Sequence, residues 1–318
     1  MWYNRLSEYL LKEGFKNDPI CPCVFIKRLE SGFSIVTVYV DDLNLVSLQI
    51  EHTSKGILIH QLAYTEKVLK HFHMDKAHPL SSPMVVRTLD VKKDPFCPKE
   101  DDEENLGPKQ DIVLHQLEDI GMGVKHVLRY LRGTTDMGLF YPYCLNPQLI
   151  GYADAGYLSD PHKGRSQTGY LFTYGNTAIS WRSVKQTISA TSSNHSEIIA
   201  IHEASRECVW LRSVIQHIQE KCGLSSIKGS PTILYEDNAA CITQIRGGYI
   251  KGDRTKHISP KFFYTHELQK SGDIDIKQIR SSDNLADLFT KLPTATFKKI
   301  VYNIGMRRFK DLHIHEGE

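Results

Sequence analysis

Apolar positions along the chain follow two rhythms, one near 3.6 residues and one near two, and the switches between them mark out the elements. Trp2, Leu6, Tyr9, Leu10 and Phe15 keep helical spacing, with Gly14 as a stop signal. Val24-Phe25-Ile26 and the run Phe33 to Val40 are β-rich and joined by the turn-like Glu30-Ser31-Gly32. Gly56 to Gln61 predicts another strand, and Tyr64, Val68 and Phe72 step by four along one helix face. From Leu149 the pattern becomes regular. Leu149 to Asp154 is strand-like, and Gly169 to Tyr174 with Ala178 to Arg182 predicts a hairpin about Gly175-Asn176. A long helix is expected from His195 to Lys221; its stripe at 197, 201, 204, 208, 211, 215 and 218 is apolar except for Glu197 at the N-terminal end. Thr232 to Tyr235 predicts a strand running into Glu236-Asp237-Asn238, and Ala239 to Ile245 a helix. His257 to Lys270 predicts a helix, Ile274 to Ile279 a strand, and Asn284 to Lys291 a last helix capped by Ser282 or Asp283. The sum is a mixed α/β layer pattern.

Residues 74–123 break both rhythms. Pro79, Pro83, Pro95, Pro98 and Pro108 punctuate them, and Glu100 to Glu104 is an unbroken acidic run of the kind that stays solvated. Residues 90–123 are therefore expected to be a poorly ordered linker, with a helix resuming near Val124 to Arg132.

Composition narrows the classes. With 318 residues, 41% of them apolar and 24% charged, the chain suits two ordinary domains or one large one. Collagen-like, coiled-coil and wholly disordered readings fall away. No apolar run approaches the roughly 18 residues of a spanning helix, and Met1-Trp2-Tyr3-Asn4-Arg5 lacks a signal-peptide pattern, so a cytoplasmic or nuclear protein without membrane contact is expected. The seven cysteines fit a reducing compartment; Cys21-Pro22-Cys23 is the one close pair, and His71 with His73 is a poor second half for a zinc site. Net charge is +2, but residues 1–150 hold 17 Lys and Arg against 20 Asp and Glu, whereas residues 151–318 hold 22 against 17. A basic half is a reason to look for a nucleic-acid surface.

Four acids fall where this layout brings strand ends and a facing helix together: Asp154, Glu197, Asp237 and Asp287. Divalent cations need such oxygen ligands. Taken singly each has a plainer explanation, a turn residue for the aspartates or a helix-dipole partner for Glu197.

The motifs around those acids resemble a known family. Gly151-Tyr152-Ala153-Asp154, Ser166-Gln167-Thr168-Gly169-Tyr170, Ile179-Ser180-Trp181-Arg182-Ser183 with Lys185-Gln186, and Ser192 to Glu197 are similar to the ribonuclease H domain of Ty1/copia-type retrotransposon Pol polyproteins. So are Tyr235-Glu236-Asp237-Asn238, Thr255-Lys256-His257-Ile258 and Asn284 to Lys291, in family order across 148–312. The resemblance implies an α/β, RNase H-like fold: a mixed five-stranded sheet flanked by helices. It implies Asp154, Glu197, Asp237 and Asp287 as catalytic, metal-binding acids for two Mg²⁺ or Mn²⁺ ions. The reaction implied is hydrolysis of the RNA strand of an RNA–DNA hybrid. Lys251, Arg254, Lys256, His257 and Lys261 are then expected at the nucleic acid, His257 in a structural or product-release role rather than as a ligand. The acid-poor stretch 291–310, with Lys291, Lys298, Lys299, Arg307, Arg308 and Lys310, is a further candidate for phosphate contacts. One departure is Gly156, where many relatives carry a second acid two residues after the first.

The first half resembles the same elements' reverse transcriptase. Val38-Tyr39-Val40-Asp41-Asp42-Leu43 is similar to the Y-V-D-D box, and Trp2 to Leu6, Leu48-Gln49-Ile50, Tyr64 and His126 to Thr134 fit the palm-to-connection region in order. Family polymerases draw a further metal-binding aspartate from upstream of where this chain begins, and the segments after Asp42 and at 110–123 are contracted. Asp41 and Asp42 are thus expected to be vestigial, with no polymerase activity. The expected layout is a truncated palm at 1–89, the linker at 90–123, a connection helix and strand at 124–147, the RNase H-like domain at 148–312 and a tail at 313–318. The rival expectation is a non-catalytic Pol relic that at most binds nucleic acid. Convergence of the four carboxylates in space separates the two.

Overall fold

The computed structural model describes residues 2–17, 24–29, 32–39, 42–84, 121–145, 147–160, 163–224, 229–250, 256–291 and 296–313. Cys21, Cys23, Asp41, the acidic run, Lys251 and Arg254 lie outside the described residues, as does 90–120 of the expected linker. The chain divides into two compact units, one of residues 1–83, 127–143 and 306–318, the other of 84–126 and 144–305.

In the first unit the helix α1 (Trp2–Lys12) buries Leu10 against Phe25, with Leu6 and Phe15 packed beside them. Strands β1 (Lys16–Asn17), β2 (Val24–Leu29), β3 (Gly32–Tyr39), β4 (Asp42–Thr53) and β5 (Gly56–His60) then run as an antiparallel meander. Tyr39, the last residue of β3, pairs with Asp42, the first of β4. Two helices, α2 (Leu62–His71) and α3 (Gly121–Gly133), precede β6 (Met137–Pro142), which pairs with β5. Residues 75–80 are stapled to α3: Arg132 Nε donates to the Asp75 carbonyl at 2.6 Å, Arg129 Nε to that of His78 at 2.8 Å, and the Leu80 amide to that of Arg129 at 3.1 Å. A late strand, Met306–Arg308, pairs antiparallel with β6, Met306 opposite Leu139 and Arg308 opposite Met137. Among the described residues this makes a seven-stranded, wholly antiparallel sheet.

The second unit holds a mixed sheet. β7 (Leu149–Gly156), β8 (Gln167–Tyr174) and β9 (Thr177–Lys185) form an antiparallel meander. After the 30-residue helix α4 (Ser193–Cys222), β10 (Thr232–Glu236) lies parallel to β7, and β11 (Ile274–Gln278) lies parallel to β10. Between those two strands come α5 (Ala239–Gly247) and α6 (Ser259–Ser271); α7 (Phe297–Asn303) ends the unit. The strand order β11-β10-β7-β8-β9 makes a mixed five-stranded sheet flanked by helices, the α/β arrangement expected from the sequence. The short strand at Met306–Arg308 is β12, followed by α8 (Phe309–His313).

α4 packs on β7 and β8 and against α5 and α6. The stretch Ser196 to His202 is buried on every side, and Ala204, Cys208, Leu211 and Ile215 carry the stripe onward beside Phe172, Leu234, Ile245 and Phe262. Burying such side chains contributes roughly 1.5–3 kcal/mol each. The expected stripe fails at its end. Ile218 is exposed and Gln219 is buried, because a 3.6-residue helix rotates a three- and four-residue pattern slowly off the core. The expected last helix is also different: two 3-10 turns, Ser281–Asp283 and Leu285–Phe289, stand in its place. Asn284 causes the break. Its Nδ2 donates to the Ala153 carbonyl at 2.8 Å and its Oδ1 accepts from the Ala286 amide at 3.1 Å, so an extended, buried residue separates the turns and is itself the cap. No helix among the described residues is long and apolar enough to cross a membrane.

Candidate metal centre

Parallel pairing puts the C-terminal ends of β7 and β10 at one sheet edge, with Tyr152 opposite Tyr235. Asp154 lies two residues beyond Tyr152, and Asp237 follows the last residue of β10. Ser192 caps α4 by accepting from the His195 amide at 3.2 Å, which starts the helix so that Glu197 enters the same place from its first turns. Asp154, Glu197 and Asp237 each offer an oxygen within 4.8 Å of the others. Asp154 and Glu197 are buried, and Asp237 nearly so. Asp287, on the second 3-10 turn, stands outside that set and is joined to it through Lys291, whose Nζ is 2.7 Å from Asp287 Oδ1, 3.1 Å from Asp154 Oδ1 and 4.0 Å from Asp237 Oδ2.

Crowding like charges in a dry site disfavours ionisation. Burial first, then Asp154 and Asp237, push the Glu197 carboxyl up to about 9, against Lys291 and a hydrogen bond from the Ala155 backbone. Asp287 is pushed up to about 6, again mainly by burial. Burial works to lower the Lys291 pKa, yet Asp154 and Asp287 outweigh it and raise the group above its ordinary value. A fifth acid, Glu236, was not foreseen. It is fully buried; Oε1 accepts from the Asn238 amide at 3.1 Å, Oε2 has no partner, and burial and then Glu197 drive its pKa well above the carboxylate range. The signal was present in the strand, where Thr232, Leu234 and Glu236 alternate inward.

Neutral donors fix two of the acids. Thr290 Oγ1 donates to Asp154 Oδ2, and Ser281 Oγ to Asp237 Oδ2 at 2.5 Å. Gly156 has a spatial reason: a Cβ there would lie 2.9 Å from the Thr290 carbonyl oxygen and 3.3 Å from the Ser159 side chain. The donor set suits a divalent cation. It is all carboxylate oxygen, the choice of hard ions such as Mg²⁺ and Mn²⁺, and Glu197 Oε2 and Glu236 Oε2 are buried acceptors without a partner.

The expected nucleic-acid residues are scattered. Lys256 and His257 are exposed; His257 is near enough to His195 to add to the effect of burial in lowering the His195 pKa. Lys261 pairs with Glu203 at 2.8 Å on α4. In the basic stretch, Lys299 pairs with Asp283 at 2.6 Å and Arg308 with Asp136, while Lys291 sits on the acids.

No protein-family model matches the chain. It is 27% identical over 367 residues to the retrovirus-related Pol polyprotein from transposon TNT 1-94 of Nicotiana tabacum, covering 96% of this chain and 27% of that protein. It is 26% identical over 359 residues to the Pol polyprotein from transposon RE2 of Arabidopsis thaliana, covering 96% and 24%. The chain thus spans about a quarter of the length of these relatives. Among solved structures, the N-terminal RNase H domain of a Mycobacterium tuberculosis protein aligns at 12% identity with a TM-score of 0.32, over 49% of this chain and 98% of that one. Across 96% of its length, then, the chain is similar to the retrovirus-related Pol polyproteins of copia-type transposons.

Proposed function

We propose that the second unit is a ribonuclease H that hydrolyses the RNA strand of RNA–DNA hybrids, with Asp154, Glu197, Asp237 and Asp287 holding two divalent cations, Mg²⁺ or Mn²⁺. The observation that carries this reading is the meeting of Asp154, Glu197 and Asp237 within 4.8 Å at the edge where two parallel strands end. Such cations, when bound, supply Lewis acidity at a phosphodiester and activate water.

The chain's own part is to hold the acids in place. Thr290 and Ser281 orient Asp154 and Asp237, and Asn284 clamps the Ala153 carbonyl so that β7 cannot slide. Glu197, with its pKa near 9, keeps its proton at neutral pH until a cation offsets the neighbouring charge, so that cation binding releases a proton. Choice of RNA over DNA falls to contacts with the 2′-OH, and Lys251, Arg254, Lys256, His257 and Lys261 are assigned to the nucleic acid. Lys261 must exchange Glu203 for a phosphate to serve there. The first unit, with Asp41 and Asp42, takes no part in nucleotide transfer. A cytoplasmic or nuclear setting goes with this substrate.

The test is cleavage of a labelled RNA–DNA hybrid by the full chain with Mg²⁺. Scission of the RNA strand that Asp237→Asn abolishes is expected; an uncut hybrid, or equal cutting by the variant, overturns the assignment. A second reading, a relic that binds hybrid without cutting it, draws on the Lys291 ammonium already lying among the acids. It predicts hybrid binding with no cleavage at any Mg²⁺ or Mn²⁺ concentration.

A further inference from the structure

Lys291 belongs by sequence to a basic stretch suited to phosphates, yet its ammonium lies on three carboxylates, within 3.1 Å of two of them. The backbone is built to put it there. Gly169 pairs with Asp154 across β7 and β8, and a Cβ at that position would meet Thr290 Cγ2 at 2.6 Å and the Ala286 carbonyl at 3.0 Å. Gly156 leaves room for the Thr290 carbonyl in the same way. Ser183 Oγ donates to the Phe289 carbonyl at 2.6 Å, so the segment from Ala286 to Lys291 is pressed onto the sheet and tied to β9. Two side-chain-free positions and one hydroxyl thus fix where the amine arrives.

Acids packed at this density with nothing between them would repel one another, and one ammonium offsets one charge of the set. A divalent cation would need the same Asp154 and Asp237 oxygens. The Lys291 side chain is 42% exposed, on a flexible four-carbon stem, and its partner Asp287 lies one turn back on the same segment. The flexible stem therefore lets the amine leave Asp154 and Asp237.

We propose that Lys291 is a built-in counter-cation of this centre, holding Asp154, Asp237 and Asp287 together in the metal-free protein and competing with the divalent cation for Asp154 and Asp237. The proposal rests on reading the cluster as a metal centre. Lys291 is in this sense a positioning residue, and its action is measurable without turnover.

The experiment is titration of the full chain with Mn²⁺, followed by the electron paramagnetic resonance signal of the free ion, for wild type, Lys291→Met and Lys291→Arg. Lys291→Met should bind Mn²⁺ about tenfold more tightly or better, about 1.4 kcal/mol. Its thermal midpoint in a chelator should fall and be recovered by Mn²⁺, whereas Lys291→Arg should keep the metal-free midpoint. On wild type alone, acylation of the Lys291 amine, read by mass spectrometry, should speed up when Mn²⁺ saturates the protein. That measurement decides the matter if Lys291→Met does not fold, and slowed or unchanged acylation overturns the proposal. If wild type binds Mn²⁺ and Lys291→Met binds it no more tightly, the counter-cation fails alone. Binding by Lys291→Met and none by wild type supports it in its strongest form. If neither binds, the metal-centre reading falls and takes this one with it.

Discussion

The two units use sheets of opposite design. The first is antiparallel throughout, so successive strands end alternately at both edges and their terminal residues are dealt to two sides. In the second, β10 and β11 run parallel to β7, so three strands deliver their C-terminal residues to one edge, where α4 also begins. Among the described residues, the carboxylate group able to hold a metal occurs there, as Asp154, Glu197 and Asp237. Parallel pairing focuses chemistry at a point, and a meander disperses it. In the second unit, acids from two different strands and a helix are thereby brought together.

The sharpest way to break this contrast is to remove one acid from each unit. Asp237→Asn should lower hybrid cleavage by at least about 10⁴-fold, about 5 kcal/mol of transition-state stabilisation, because a metal-bearing charge is lost. Asp42→Asn should leave the rate unchanged; a matching loss would mean that the chemistry is not confined to the second unit. Next in size is the core beneath the focusing edge. Phe172 is fully buried against α4, and Phe172→Ala should cost about 3–5 kcal/mol in urea unfolding. A cost under 1 kcal/mol would mean that the sheet and α4 do not depend on that ring.

Gly169→Ala tests the close approach of the 285–291 segment. The added methyl has nowhere to go, and about 1–3 kcal/mol of stability should be lost together with cleavage. Full activity with unchanged stability would show that the segment tolerates displacement. The smallest effect is a pH dependence away from the acids. His202, on α4, is held at about 4 by burial and then by Lys261, with Arg206 acting the same way, Glu203 opposing, and Tyr264 packed on its ring. The unfolded chain, at about 6.5, takes up the proton first, so stability is lost as pH falls from about 6.5 towards 4. Between pH 7 and pH 5 the loss should be about 1–2 kcal/mol and should shrink in His202→Gln, compared by urea midpoints at both values. An unaltered slope would acquit the imidazole.

Much of the second unit was legible because its elements are decided locally. The β-rich runs of β8 and β10, the Gly175-Asn176 turn and the long apolar stripe of α4 each needed only neighbours in sequence to be read. What escaped depends on partners distant in the chain. Asn284 breaks a helical pattern because the Ala153 carbonyl, 131 residues away, takes its side chain. Lys291 reads as one more basic residue until Asp154, 137 residues back, is found beside it. Glu236 is obscured in the sequence by the neighbouring Asp237, although the inward register of the strand belongs to Glu236. Local rules find elements and candidate acids, but the hydrogen bonds and ion pairs that tune them come from folding.

The pairing of β12 with β6 has a consequence for how residues 143–305 come apart. Chain leaves β6 after Pro142 and returns at Met306, opposite Leu139, so the two ends of the intervening 163 residues emerge from the same end of one antiparallel pair. Residues 143–305 are in effect a very long hairpin loop. As long as that clasp holds, unfolding it releases a closed loop rather than two free arms, which removes part of the entropy that would otherwise drive the unfolding. A nick outside the strands and helices of that loop would give the entropy back while leaving their contacts in place.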